Sequence, residues 1–294
     1  MILAMVFTGC GVSEPLDKSE TVQVPDANTN GSEYTADPPK NEMQPVDAQT
    51  FWEWRSERNG CKAGNVFTFG EWRGQPIEWR VLAIQDDKAL VVSEKLLALR
   101  QYQDYSFDGK PGYGDYNYST WAECSLRSWL NNDFLKAAFS EQEKQAISLT
   151  SVKTPEIDRT ITTYTNGNEL YEKIPVHMQA SKDTEDMVFC LSVDEAETYF
   201  CWDDMRIASM TVTEQDYDYA AKTVEAIGSG TDEWWYVFGG YEPGETAPKM
   251  WWLRNGTYVN PYGGIWLGSI SGDGEILRGW PCGVRPAMWL QLDA

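Results

Sequence analysis

The residues most able to do chemistry in this chain are aromatic rings. It holds 14 tryptophans and 15 tyrosines. Several fall in stretches rich in Gly, Pro, Asp and Glu, which read as loops. Trp234 and Trp235 follow the loop-like run 228–233, and Trp251 and Trp252 follow a Pro/Gly/Glu stretch. Adjacent side chains on a strand point to opposite faces, so each tryptophan doublet is expected to place one ring inside and one outside. Tyr102, Tyr105, Tyr113, Tyr116 and Tyr118 occupy a second long loop. Exposed rings beside carboxylates and carboxamides suit sugars: C–H faces pack on the π surface while hydroxyls take hydrogen bonds. Tyr113, Tyr116, Trp234, Trp235, Trp251 and Trp252 are therefore the candidate ligand-binding residues. The competing role for any one of these rings is to seal a core poor in regular structure.

Constellations for catalysis are scarce. His177 is the single histidine. Zinc sites built on two or three histidines are thereby excluded within one chain, and a Ser-His-Asp triad would have to use His177. It sits in the polar segment IPVHMQ with no nucleophile-elbow motif nearby, and is expected to be an exposed or satisfied loop residue. Gly112-Tyr113-Gly114 lacks the strand-to-helix context of a dinucleotide fingerprint, and no Walker A motif exists. With 45 acids, a glycosidase-type carboxylate pair stays open, but no two residues stand out. Asp104, Asp108 and Asp115 share one loop and offer hard oxygen ligands for calcium. Their spacing matches no calcium-loop motif, so solvated turn residues are the expectation, with no metal or cofactor.

Six cysteines are present: Cys10, Cys61, Cys124, Cys190, Cys201 and Cys282. Cys124 and Cys190 lie in apolar phrases and read as buried thiols. Arg127 in SLRSWL, Arg254 in WWLRNG and Arg285 in GVRPAM also sit among apolar residues. A guanidinium there needs carboxylate or carbonyl partners. The expected role is structural; an anion site is the alternative.

The elements that must position these residues are short. Ile77, Trp79, Val81 and Ala83 alternate with Glu78, Arg80, Leu82 and Ile84, the period of a strand. Its polar face turns apolar along its length, which predicts a strand running from an edge into the core. Asp86-Asp87-Lys88 is the turn, and residues 89–92 return as a buried strand. Thr120 with Glu123 predicts a capped helix to about Leu130, ended by Asn131-Asn132. Ser140 with Glu143, and Ser192 with Glu195, predict two more short helices. Residues 154–186 read as polar and irregular. Strands are expected at 66–69, 187–191, 251–254, 264–270 and 275–278, and a last one around Val284, Met288, Leu290 and Leu292. Pro286 predicts an edge or a bulge there. The pattern is α+β, a single domain in which the early hairpin pairs with the last strand.

Read in order, several phrases resemble a bacterial family. These are IEWRVLAI from Ile77, ALVVSEKLL from Ala89, WAECSLRSWLNNDF from Trp121, MVFCLSVDEAETYF from Met187, WWLRN from Trp251 and GVRPAMWLQL from Gly283. Together they resemble domain of unknown function 6273 over about residues 66–292. That resemblance implies a domain carried by secreted and surface proteins, and brings no established activity. The closing phrase also resembles the end of the formylglycine-generating, C-type-lectin-like α+β fold. Enzymes of that fold use closely spaced redox cysteines where Cys282 stands alone here, so their activity does not carry over.

The amino terminus reads MILAMVFTGC. It resembles the end of a lipoprotein signal peptide, which implies acylation at Cys10 and removal of residues 1–9. Residues 11–50 hold eight acids, two bases and five prolines. Such a stretch cannot bury enough apolar surface to offset its ordering entropy, so it is expected to be a disordered acidic tether. A flexible chain of that length spans roughly 35 Å. The net charge is −21 and the pI about 4.4. That excludes nucleic acid as a partner, because phosphate binding needs clustered Lys and Arg. It also opposes adhesion to anionic lipid, leaving the membrane in reach through Cys10 only. The expected protein is a lipid-anchored, extracytoplasmic globular domain (residues 51–294) that binds a glycan or a cell-surface protein. A carboxylate-dependent hydrolase and a structural surface spacer are the alternatives.

Overall fold

The computed structural model describes residues 48–57, 62–104, 119–164, 171–200, 202–226, 243–259, 265–266 and 281–292. All fall within one unit, Pro45–Ala294. The expected lipobox and the tether up to residue 47 lie outside the described residues.

Ordered pairing begins two residues before the expected boundary. Strand β1 (Gln49–Thr50) runs parallel to β2 (Val66–Trp72). The Thr50 hydroxyl then accepts the Glu53 N–H at 3.3 Å and caps α1 (Phe51–Ser56). Phe51 and Trp54 from α1 pack on Phe67, with the Trp54 and Phe67 rings stacked 4.7 Å apart. Strand β3 (Gln75–Gln85) carries the expected alternation: Ile77, Trp79 and Val81 are buried. From exposed Gln75 and Pro76 the strand does run into the core, but it does not stay there. A register shift between Val81 and Ala83 disrupts the ladder, and beyond it Ile84 and Gln85 are exposed. The strand leaves the core at its far end, because a bulge bends the chain and re-aims the side chains after it. Strands β4 (Lys88–Ser93) and β5 (Ala98–Arg100) follow.

The predicted cap at Thr120 is a turn instead. Its carbonyl accepts the N–H groups of Glu123 and Cys124, and α2 (Ser125–Trp129) begins at Ser125, where the Cys124 thiol takes the Arg127 N–H. Asn131 and Asn132 do not stop it. The chain widens into a π turn (Leu130–Phe134) and continues as α3 (Leu135–Ala138). Asn131 is a clasp: its amide donates to the Arg127 and Val188 carbonyls, and its oxygen accepts from the Met187 and Val188 N–H groups. A side chain with four partners holds a widened turn that an isolated sequence pattern reads as a break. Helix α4 (Glu141–Ala146) carries the predicted Ser140/Glu143 capping box.

Strand β6 (Thr150–Val152) leads to the second correction. The stretch predicted to be irregular holds a regular hairpin, β7 (Ile157–Tyr164) with β8 (Tyr171–Met178), paired from Ile157↔Met178 to Tyr164↔Tyr171. Strand β9 (Thr184–Asp186) pairs with β6, and β10 (Phe189–Cys190) precedes α5 (Val193–Tyr199) with its Ser192/Glu195 capping box. Then come α6 (Asp203–Arg206), β11 (Ser209–Thr211), α7 (Glu214–Ala226) and β12 (Thr246–Pro248). The last strands are β13 (Trp251–Leu253), β14 (Thr257–Val259), β15 (Ile265–Trp266), β16 (Cys282–Val284) and β17 (Pro286–Gln291). The strand expected at 275–278 lies outside the described residues.

Two larger sheets carry the fold, which is α+β. One has the order β1-β2-β3-β4-β17-β10, the other β15-β14-β13-β16-β5. The early hairpin does pair with the last strand, from Val92↔Ala287 to Lys88↔Gln291. Pro286 lies at the start of β17, an interior strand rather than an edge, where the missing N–H costs least. β16 and β17 belong to different sheets, so the chain crosses between them at Arg285. Gly283 permits this crossing: a Cβ there would come within 2.4 Å of Leu96 Cδ1 and 2.8 Å of the Met250 carbonyl.

Buried cations mark where this core is under electrostatic load. Lys249 is only 5 % exposed, and burial lowers its pKa to about 8 from 10.5, partly opposed by Glu245. The folded state therefore binds fewer protons than the unfolded chain between those values, and this group's contribution to stability rises with pH across that window. Relative to the parent, Lys249→Met is expected to lose ground in stability as pH rises from 8 towards 10.5, because over that window the parent is relieved of the cost of a desolvated ammonium and the methionine has no such cost to relieve. Urea denaturation of both proteins at pH 7 and pH 9.5 measures it; a difference that does not change with pH would contradict the assignment.

Candidate functional site

The tip of the β3–β4 hairpin builds the site. Gln85 and Lys88 are cross-strand partners, so the turn falls where the sequence predicts but holds two residues, Asp86-Asp87, and Lys88, expected within it, is the first residue of β4. Asp86 has φ 53°, a left-handed conformation that aspartate tolerates better than most residues. The Asp87 carbonyl accepts the Leu292 N–H at 2.6 Å, which fastens the turn to the end of β17. Lys88 pairs with Gln291, and Leu90 with Trp289. Cross-strand partners and residues two apart share a face, so Gln85, Lys88, Gln291 and Trp289 emerge on one side of the sheet. The chain after α4 closes the other wall. Ser148 donates its N–H to the Trp289 carbonyl at 2.8 Å and Ile147 bridges Leu290, and Thr150, two residues on, lines the same depression as Trp289.

The result is an open pocket of about 400 Å³ lined by Gln85, Asp86, Asp87, Lys88, Thr150 and Trp289. Trp289 is half-buried and presents part of its ring. Among the described residues, the side chains of Gln85, Asp86, Asp87 and Lys88 and the Trp289 indole N–H have no hydrogen-bond or ion-pair partner in the protein. An aromatic surface thus stands beside two carboxylates, a carboxamide, an ammonium and a hydroxyl. The arrangement can stack a flat, weakly polar face and hydrogen-bond a polar rim.

Of the sequence-predicted ligand residues, only Trp251 and Trp252 are described, and neither lines this pocket. Tyr113, Tyr116, Trp234, Trp235 and the lipidation candidate Cys10 are outside the described residues, as are Asp108 and Asp115 of the calcium candidate. Trp251 and Trp252 are a correction: both rings are fully buried. They do point to opposite faces of β13, but both faces are covered. The Trp251 indole donates to the Arg206 carbonyl and lies under the Arg285 guanidinium, 5.2 Å away. The Trp252 indole donates to the Arg100 carbonyl and packs on Tyr102 and Tyr258. The exposed tryptophans among the described residues are Trp202, at 66 %, and Trp52. Neither lines the pocket.

The three arginines each meet fixed partners. Arg127 donates to Asp186 Oδ1 at 2.7 Å and to two carbonyls. Arg254 grips Glu195 with two nitrogens. Arg285 is buried, donates to the carbonyls of Ser93 and Arg206, and stacks on Phe200 and Trp251. Burial lowers the Arg285 pKa to about 10. Cys124, Cys190 and Cys282 are buried thiols. Burial raises the pKa of Cys190 and Cys282, which opposes thiolate formation and hence nucleophilic chemistry. His177 is exposed on β8, a strand rather than a loop, with Nδ1 3.2 Å from Glu156 Oε1.

What sequence reasoning missed is that Trp289 belongs with the Asp86-Asp87 turn. The signal was present: once the first hairpin pairs with the last strand, a tryptophan one position before Leu290 must fall near the hairpin tip.

Fold and pocket together define an α+β domain with an open aromatic and polar depression at one sheet end. The chain belongs to the family described as a domain of unknown function (DUF6273), which matches residues 86–292. No curated protein and no solved structure matches it. The match takes in the whole pocket except Gln85. Among the described residues no helix is long and apolar enough to cross a membrane.

Proposed function

We propose that the protein is an extracytoplasmic binding module, held to the membrane through an acylated Cys10, that takes a glycan in the Trp289 pocket. The observation that carries the ligand class is the half-buried Trp289 ring beside the side chains of Gln85, Asp86, Asp87 and Lys88, which have no partner among the described residues. A sugar supplies what each lacks: a C–H face for the ring and hydroxyls for the carboxylates, the carboxamide and the ammonium. The lectin-like form of the α+β fold belongs to the same reading and is supported by the joining of early hairpin and last strand. The anchor reading rests on the MILAMVFTGC terminus.

Binding is favoured over hydrolysis by the placing of the acids. A glycosidase needs two carboxyl groups facing each other across the scissile bond. Asp86 and Asp87 are instead consecutive on one turn, and both are exposed. The test is a glycan array probed with the full chain, followed by calorimetry on the best ligand. Trp289→Ala is expected to weaken binding at least about tenfold, or 1.4 kcal/mol, and Asp87→Asn to weaken it less. Unchanged affinity in both variants would overturn the pocket assignment. Release of new reducing ends from the bound glycan would replace binding with hydrolysis.

A further inference from the structure

A second cluster lies away from the pocket, on the β7–β8 hairpin. Asp158 and His177 are direct cross-strand partners, and Glu156 stands two residues before Asp158. Residues two apart on an extended chain share a face, and so do cross-strand partners, so the three side chains converge on one side. The pairing explains the geometry: their ligand atoms all lie within 4.8 Å of one another, and His177 Nδ1 is 3.2 Å from Glu156 Oε1. All three are exposed.

We infer that Glu156, Asp158 and His177 form a binding site for a borderline divalent transition-metal ion, with Zn²⁺ as the type case. One imidazole nitrogen and two carboxylate oxygens make a mixed donor set. It suits zinc better than calcium or magnesium, which take oxygen ligands only. Ligand atoms around a tetrahedral zinc sit roughly 3.4 Å apart, given metal–ligand bonds near 2.1 Å. The Glu156–His177 spacing already meets this, and a small side-chain rotation brings in the third. Three protein ligands leave a fourth position for water or a group on a partner.

The backbone that carries the ligands is held from behind. Ile157, Val176 and Met178, interleaved with them, are buried. Upstream, the Lys153 carbonyl accepts two bonds from the Arg254 guanidinium and the Pro155 carbonyl one from Asn255. Arg159, next in the strand, is paired with Glu197 through two hydrogen bonds and places no competing cation among the ligands. The site therefore loses little chain entropy on binding a metal.

His177 is the only histidine, so its ring resonances form a single unambiguous reporter in an NMR titration. ZnCl₂ added to the chelator-treated full chain is expected to give a saturable one-to-one shift of that ring. Glu156→Gln and Asp158→Asn should each raise the apparent Kd at least about tenfold. In His177→Gln, calorimetry should find this binding step gone. An equal concentration of CaCl₂ or MgCl₂ should leave the zinc titration unchanged. The inference is overturned if the ring does not respond saturably. It is equally overturned if the double variant E156Q/D158N binds zinc as tightly as the parent, or if calcium displaces the zinc.

Discussion

Asp186→Ala is expected to cost about 3–5 kcal/mol of folding stability, the effect of stripping one partner from a buried charged pair. Asp186 is fully buried and answers three donors: Trp121 Nε1 at 2.9 Å, the Thr184 hydroxyl at 2.6 Å and Arg127 Nε at 2.7 Å. These come from the turn before α2, from β9 and from α2 itself. Removing the carboxylate leaves a buried indole N–H and a buried hydroxyl unsatisfied and takes the counter-charge from a partly exposed guanidinium. Asp186→Asn keeps the volume but turns an amide towards donors, so it should recover only part of the loss. Urea denaturation of the two variants measures this. A loss below about 1 kcal/mol in the alanine variant would show that the three donors find other acceptors.

Arg254→Ala is the second large effect, expected at about 3 kcal/mol. All five N–H donors of this guanidinium are engaged: one with the Lys153 carbonyl, one with the Cys190 carbonyl, a further one with Lys153 and two with Glu195. Glu195 has a second duty, accepting the Ser192 N–H in the capping box of α5. Glu195 is partly exposed, so water compensates for some of the lost pairing and the cost sits at the lower end. Arg254→Lys is expected to lose most of the same stability, because a point ammonium cannot fill a five-donor fork. Thermal unfolding of both variants, compared with Glu195→Gln, separates loss of the fork from loss of the cap. Near-parental stability in Arg254→Lys would show that charge alone matters here.

The same residues show how far the sequence could be read. Arg127, Arg254 and Arg285 were recognisable as structural from their apolar flanks, because a buried guanidinium demands acceptors. Which acceptors answered was not recognisable, since Asp186 lies 59 positions from Arg127 and the Lys153 carbonyl 101 from Arg254. The Ser140 and Ser192 capping boxes were legible because both partners sit three residues apart. Thr120 with Glu123 had the same spacing and failed, because the segment turns at Thr120 and begins its helix from Cys124. The β7–β8 hairpin was missed because polar residues dominate the stretch around it; the short alternation of Ile174, Val176 and Met178 with Lys173, Pro175 and His177 was the signal that it held. The Trp251-Trp252 doublet was misread for a related reason. Opposite faces followed from strand geometry, but exposure depends on what covers each face: Tyr258 is the cross-strand neighbour of Trp252, while Arg285, which also stacks on Phe200, and Tyr102 arrive from distant segments.

Local patterns were thus enough to determine the α+β class, the first hairpin and the place of its turn, the partnering of that hairpin with the last strand and the family. Each depends on periodicity, on turn chemistry or on phrases that survive in order along the chain. Only the tertiary structure decided which rings are accessible, that Trp289 and Thr150 meet the hairpin tip, and that Glu156, Asp158 and His177 share one face. Those depend on sheet register and on long-range closure, and a shift of one residue in either would send every one of these side chains to the opposite side.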